Sequence, residues 1–215
     1  DNMGKIAFIF PGQGSQYVGM GKDFYDEIKE SRLVFEEADD ALNMKLSSLV
    51  FEGTEEDLMK TEITQPAVLT ASIAMLKALE KEGIDCDYTA GLSLGEYSSL
   101  VKSKAMSFSD TLRIVRERGK FMQEAVPQGV GGMAALLGLD RIYLPEVLEA
   151  GKDYGIVEVA NYNSPEQIVI SGELKGIKIS CKKAIELGAK KAVELPVRAP
   201  FHTSLLTPAG EKLRR

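Results

Sequence analysis

Tyr88-Thr89-Ala90-Gly91-Leu92-Ser93-Leu94-Gly95-Glu96-Tyr97 is the stretch on which the reading of this 215-residue chain turns. A short strand-like run from Tyr88 to Ala90 leads into Gly91-Leu92-Ser93-Leu94-Gly95, and Leu94, Tyr97, Leu100 and Val101 then repeat at helical spacing. Gly-x-Ser-x-Gly between a strand and a helix is the nucleophile-elbow pattern. The glycines let strand and helix approach through a very tight turn, and the serine sits in strained backbone at its tip, with Oγ exposed and the next N–H free to hold an oxyanion. The pentapeptide alone is weak evidence, since at roughly 7% usage each of Gly and Ser chance places one in about one chain in fourteen of this length. Its flanks decide.

Upstream, Lys5 to Phe10 is nearly all apolar, as expected for a parallel-sheet strand buried on both faces, and the loop Pro11-Gly12-Gln13-Gly14-Ser15-Gln16 follows. Ser31 is a candidate cap for a helix reaching Leu42, and Thr54 with Asp57 resembles a capping box. Thr64 and Pro66 open a longer helix whose apolar residues, Ala67 to Leu79, exceed what one face needs; Gly83 suits its end. Downstream, Ser107 or Ser109 caps a helix that stops at Pro127. The pattern then changes to strand 131–139, helix 144–150, strands 156–162 and 167–171, helix 174–187 closed by Gly188, and strand 190–195. That βαββαβ order is the ferredoxin-like arrangement. Pro196 and Pro200 mark the return from it. The expected fold is α/β: a core of residues 1–127 and 199–215 with a parallel sheet, and a ferredoxin-like subdomain of residues 128–198.

Net charge is −6 from 26 basic and 32 acidic residues, which argues against nucleic acid or an anionic membrane as the general partner. The apolar run Ile6 to Phe10 is too short for a signal peptide or a membrane span, so a cytoplasmic protein is expected. Cys86 and Cys181 have neither Cys-x-x-Cys spacing nor a nearby histidine, and no zinc site or disulfide framework is indicated. Asp1 and Asn2 read as a remnant ahead of Met3.

A serine hydroxyl near neutral pH normally needs an imidazole to activate it, and His202 is the chain's one histidine. The oxyanion would be held by the Leu94 amide, with the Gln13 amide as the natural second donor. Lys175, Lys178, Lys182, Lys183, Lys190 and Lys191 form a basic stretch that reads either as a landing surface for an acidic protein or phosphates or as a solvated helix face.

Four motifs in order, Phe10 to Gln16, Gly91 to Tyr97, Arg118-Gly119-Lys120-Phe121-Met122-Gln123 and Ala199-Pro200-Phe201-His202, resemble the malonyl-CoA:acyl carrier protein transacylases of bacterial fatty-acid synthesis. The resemblance covers nearly the whole chain and implies that the core of residues 1–127 and 199–215 is α/β-hydrolase-like. It implies ping-pong transfer of malonyl from malonyl-CoA to the phosphopantetheine thiol of acyl carrier protein. Ser93 would be the nucleophile, His202 the base and then acid, Gln13 and Leu94 the oxyanion hole, and Arg118 the holder of the malonyl carboxylate; Asn161 and Asn163 match a segment near the site. It implies a monomer with no bound metal or redox cofactor. A serine thioesterase or esterase, a non-catalytic carrier-binding subunit, and a polyketide-type acyltransferase for another extender unit are the alternatives. Three departures stand out: Leu92 where many members have histidine, Arg198 where a small residue is usual, and a family C-terminal segment lying beyond Arg215 that completes the core sheet and orients the histidine.

Overall fold

The computed structural model describes residues 4–127, 129–195, 197 and 199–215; Asp1, Asn2, Met3, Pro196 and Arg198, singled out above, lie outside them. The chain forms two compact units, residues 1–120 and 121–215. The functional division expected above, 1–127 with 199–215 against 128–198, is a different partition of the chain.

In the first unit β1 (Ala7–Phe10) pairs in parallel with β2 (Tyr88–Gly91), from Ala7 against Tyr88 to Phe10 against Gly91. Between them run α1 (Lys22–Glu27), α2 (Lys29–Leu42), α3 (Leu46–Glu52), α4 (Glu55–Met59) and α5 (Thr61–Lys81); α6 (Leu94–Lys102) and α7 (Phe108–Ala125) follow. Phe35, Leu46, Leu69, Ile73, Leu94 and Leu112 are fully buried in one apolar core with Phe10. α5 is buried nearly all round, as its composition required. Its end is a glycine stop: Gly83 adopts φ 73°, which lets the Ile84 N–H reach the Leu79 carbonyl at 3.0 Å. The Thr54 hydroxyl caps α4 by accepting from the Asp57 N–H at 3.1 Å, and Ser107 caps α7 by accepting from the Asp110 N–H at 3.2 Å.

Three local expectations are corrected. Ser31 caps nothing; α2 already starts at Lys29, and the buried Ser31 hydroxyl donates to the Ala74 carbonyl of α5 at 2.7 Å. α5 begins at Thr61 rather than Thr64, because the Lys60 carbonyl accepts from the N–H groups of Ile63 and Thr64, both at 2.8 Å. β1 is buried on one side only. Ala7 and Ile9 share its exposed face, Ile9 at 78%, while Phe8 and Phe10 on the other face pack into the core.

The second unit holds β3 (Gly131–Leu137), α8 (Leu144–Lys152), β4 (Val157–Ser164), β5 (Gln167–Glu173), α9 (Leu174–Glu186), β6 (Lys191–Glu194) and α10 (Thr207–Arg214), with 3₁₀ turns at Arg141–Tyr143 and Ser204–Leu206. Its sheet is antiparallel, in the order β4-β5-β3-β6. Period-two alternation divides its side chains between two cores. Ala134, Leu136, Ile168 and Ile170 pack with Val147 of α8 and Ile177 of α9, while Met133, Ala135 and Val169 pack with Ala199, Phe201 and Leu206. Among the described residues no helix is long and apolar enough to cross a membrane.

Ile177 is fully buried between α9 and the sheet. Ile177→Ala should cost about 2–5 kcal/mol in urea denaturation, the usual penalty for a cavity at a closed core position; a loss under about 1 kcal/mol would mean that this face repacks freely.

Candidate active site

The elbow is built by two glycines that a methyl group would destroy. A Cβ on Gly91 would lie 2.0 Å from the carbonyl carbon of Gly95, and one on Gly95 would lie 2.2 Å from the Phe10 oxygen. The end of β2, the start of α6 and the end of β1 therefore meet backbone to backbone. Ser93, the residue at the turn, takes φ 54° and ψ −108°, a conformation that side-chain-bearing residues rarely hold. Leu94 behind it is fully buried, which anchors the turn, while Leu92 is 57% exposed.

The loop after β1 lies against this turn. A Cβ on Gly12 would sit 2.7 Å from the Leu92 oxygen and 4.0 Å from the Leu94 nitrogen. Ser15 Oγ donates to the Gly12 carbonyl at 2.8 Å, and the Gly14 N–H donates to Gln16 Oε1 at 2.7 Å, so the loop is held by its own side chains. The backbone N–H groups of Gln13 and Leu94 have no acceptor among the described residues. Two free donors on adjoining turns are what an oxyanion hole requires.

α7 carries Arg118 to the same turn. Gly119, its neighbour, is buried; a Cβ there would lie 2.5 Å from the Thr61 carbonyl, so α7 and the first turn of α5 are in direct backbone contact. Arg118 Nη2 donates to Ser93 Oγ at 2.9 Å, Nη1 donates to Gln65 Oε1 at 2.9 Å, and the guanidinium stands 5.4 Å from the Tyr97 ring centroid. Burial lowers the guanidinium from its ordinary value, with Tyr97 and Glu96 acting the other way, and it remains a cation. Among the described residues no carboxylate pairs with it. The neighbouring arginines are engaged elsewhere: Arg113 pairs with Asp110 at 3.1 Å, and Arg116 donates to the Leu42 carbonyl at 3.2 Å.

Gln65, which accepts from Arg118, is a residue of this cluster that sequence reasoning missed. It is 1% exposed on a helix that is buried nearly all round, and a buried amide with that placement needs a polar partner. That was the available signal.

The second unit holds His202, Asn161 and Asn163. His202 is exposed and takes φ 57°, in the left-handed region. Its neighbours Ala199 and Phe201 are buried, and a Cβ on Gly131 would lie 2.4 Å from the Pro200 ring, so the segment is seated firmly on the start of β3. Asn161 is half-buried on β4 between two register shifts, and the exposed Asn163 Nδ2 donates to Gln167 Oε1 at 3.5 Å. Among the described residues no three His, Cys, Asp or Glu side chains converge as a metal site. Burial, chiefly, pushes the Cys181 thiol up to about 11.

Residues 7–215 match the model of the acyl transferase domain family. The malonyl CoA-acyl carrier protein transacylase of Bacillus subtilis is 52% identical over 213 residues, which are 99% of this chain and 67% of the relative. The crystal structure of the corresponding transacylase from Clostridium perfringens superposes with a TM-score of 0.90 at 50% identity, over 98% of this chain and 66% of that one. A malonyl-transacylase solved in complex with a type II PKS acyl-carrier protein superposes with a TM-score of 0.93 at 41% identity, over 98% of this chain and 68% of its own. The chain thus spans about two thirds of the length of these relatives. By sequence and fold it belongs to the acyl transferase domain family, among the malonyl CoA-acyl carrier protein transacylases.

Proposed function

We infer that this chain carries the acyl-transfer machinery that moves a malonyl group from malonyl-CoA to the phosphopantetheine thiol of acyl carrier protein. One observation carries the reading: Arg118, a largely desolvated cation with no carboxylate partner among the described residues, donates to the elbow serine. A buried charge is costly unless an opposite charge meets it, and an acyl group that ends in its own carboxylate supplies one at the moment of binding. A planar guanidinium grips such a carboxylate through two charge-assisted bonds. An acyl group without a second charge would leave Arg118 unpaired.

In the proposed cycle Ser93 Oγ attacks the malonyl thioester while His202 takes its proton, and the amides of Gln13 and Leu94 hold the oxyanion. The carbon–sulfur bond breaks, CoA leaves as the thiol with the proton from His202, and a malonyl-serine ester remains. The carrier thiol then gives its proton to His202 and attacks the ester, and Ser93 Oγ leaves with that proton. Asn161 and Asn163 have a lesser role beside the acyl group. No bound cofactor is required by this chemistry, and the enzyme is read as a cytoplasmic monomer. We assign an α/β-hydrolase-like core to residues 1–127 and 199–215, which the parallel β1-β2 pair and its elbow support, and a ferredoxin-like subdomain to 128–198, which the βαββαβ order with strands β4-β5-β3-β6 supports.

Charge supports an acidic partner at the second unit. Residues 1–120 hold 21 acidic and 14 basic residues, and 121–215 hold 11 and 12. Lys175, Lys178 and Lys182 are exposed on one face of α9, whereas Lys183 is engaged by Glu146 at 3.0 Å. A carrier from polyketide synthesis is the second reading, favoured by the solved complex of a related transacylase with such a carrier.

Incubation with malonyl-CoA and no carrier should leave one stable malonyl adduct by intact-mass spectrometry, absent in Ser93→Ala; an adduct that survives that substitution sinks the assignment, and turnover without accumulation marks a hydrolase. Arg118→Ala should cost about 1.5–3 kcal/mol in kcat/KM for malonyl-CoA, the range for a hydrogen bond to a charged group, and far less for acetyl-CoA. The double variant Lys178→Glu, Lys182→Glu should raise KM for the carrier and leave KM for malonyl-CoA unchanged; an unaltered carrier KM removes α9 as the docking face.

A further inference from the structure

The turn that carries His202 is strained, and a pair of hydrogen bonds from Ser204 ties it to β4. His202 holds φ 57°, which a residue with a side chain keeps only where its surroundings over-determine it. Several of the turn's hydrogen bonds are local. The Phe201 N–H donates to the Ala199 carbonyl at 3.0 Å, the Thr203 hydroxyl to the Pro200 carbonyl at 2.7 Å, and the Leu206 N–H to the Thr203 carbonyl at 3.0 Å. These would survive if the whole turn swung as a body. Ser204 reaches outside the turn: its N–H donates to Glu158 Oε2 at 2.8 Å and its hydroxyl donates to Glu158 Oε1.

Glu158 is well placed to hold something still. It lies on β4 between Val157 and Val159, both of which pack in the α8-α9 core, and it pairs in register with Ser171 of β5. Both carboxylate oxygens are occupied by the same residue two positions after His202. Bidentate engagement fixes orientation as well as distance, because neither bond can rotate without breaking the other. Phe201 and Leu206 bury their side chains on either side of the turn. They fix its depth, but apolar contacts are non-directional and do not by themselves set the pitch of the His202 backbone.

We propose that Glu158 is a positioning residue: through its two bonds to Ser204 it locks the left-handed turn that presents the His202 imidazole. It touches neither substrate nor reacting atoms, and it acts by restricting where the ring points. The inference rests on the reading of His202 as the general base, and a base displaced by about 1 Å loses roughly 100-fold in rate. Glu158 would therefore affect the turnover step and not the binding of malonyl-CoA.

The chain's one histidine makes the test direct, since its ring gives a single Cε1–Hε1 and a single Cδ2–Hδ2 correlation by NMR. In Glu158→Ala, with the fold checked by circular dichroism, these signals should shift and broaden or double. The rate of Ser93 acylation at saturating malonyl-CoA should fall roughly 10- to 100-fold with the half-saturating concentration unchanged. Ser204→Ala keeps the N–H bond and should give a smaller change of the same kind, and it serves as the probe if Glu158→Ala does not fold. Unmoved ring signals in a folded variant overturn the clamp. The base reading is judged separately: His202→Ala that acylates at the wild-type rate removes His202 as the base, even where Glu158→Ala still moves the ring.

Discussion

Backbone touching backbone at Gly95 and Phe10 is the contact on which the first unit's chemistry depends. A hydrogen on Gly95 Cα lets the start of α6 press against the last carbonyl of β1, and Gly91 does the same between the end of β2 and α6. With strand, turn and helix compressed this far, the residue between them is driven to φ 54°, and its side chain is pushed away from the packed side. Burial of Leu94 holds the turn down against the core. The strain at Ser93 is thus sustained by three elements and not by the pentapeptide itself. The same compression brings Gly12 against Leu92, so the loop after β1 and the elbow share one small volume.

Arg118 adds charge to that volume. It stands on a helix whose separation from α5 is set by Gly119 against the Thr61 carbonyl, and Gln65 of α5 accepts one of its two outward N–H groups. Tyr97, one turn into α6, covers one face of the guanidinium. Three helices therefore fix the cation's direction before any ligand arrives, which lowers the entropy lost when a carboxylate binds.

Much of the architecture was legible because its signals are local. Thr54 and Ser107 cap with their own chain three residues on, Gly83 and Gly188 stop helices by accepting positive φ, and the alternation in β3 and β5 sorts residues onto two faces. The misreadings have a common cause in distant partners. Ser31 has the composition of a cap, yet its hydroxyl serves a carbonyl 43 residues away. The exposure of Ile9 depends on whether another element covers that face of β1, which no window of sequence contains. Among Arg113, Arg116 and Arg118, only the rotation of α7 against α5 decides which one meets Ser93, and that rotation is set by a glycine contact invisible in the chain's composition. Resemblance singled out Arg118; residue chemistry alone left the three equivalent.

The parallel pairing of β1 with β2 also governs when the elbow comes into being. Phe10 and Gly91 are partners separated by 81 residues, and most of the first unit's helices lie between them. Such a pairing cannot zip up from a hairpin; closing the loop costs chain entropy before any ladder bond repays it. The intervening helices bring the ends together by packing into the common core, and only then do Gly95 and Phe10 meet. The constraint on Ser93 is accordingly a long-range one: wherever β1 and β2 are apart, the Gly95–Phe10 contact that holds the serine at φ 54° is absent.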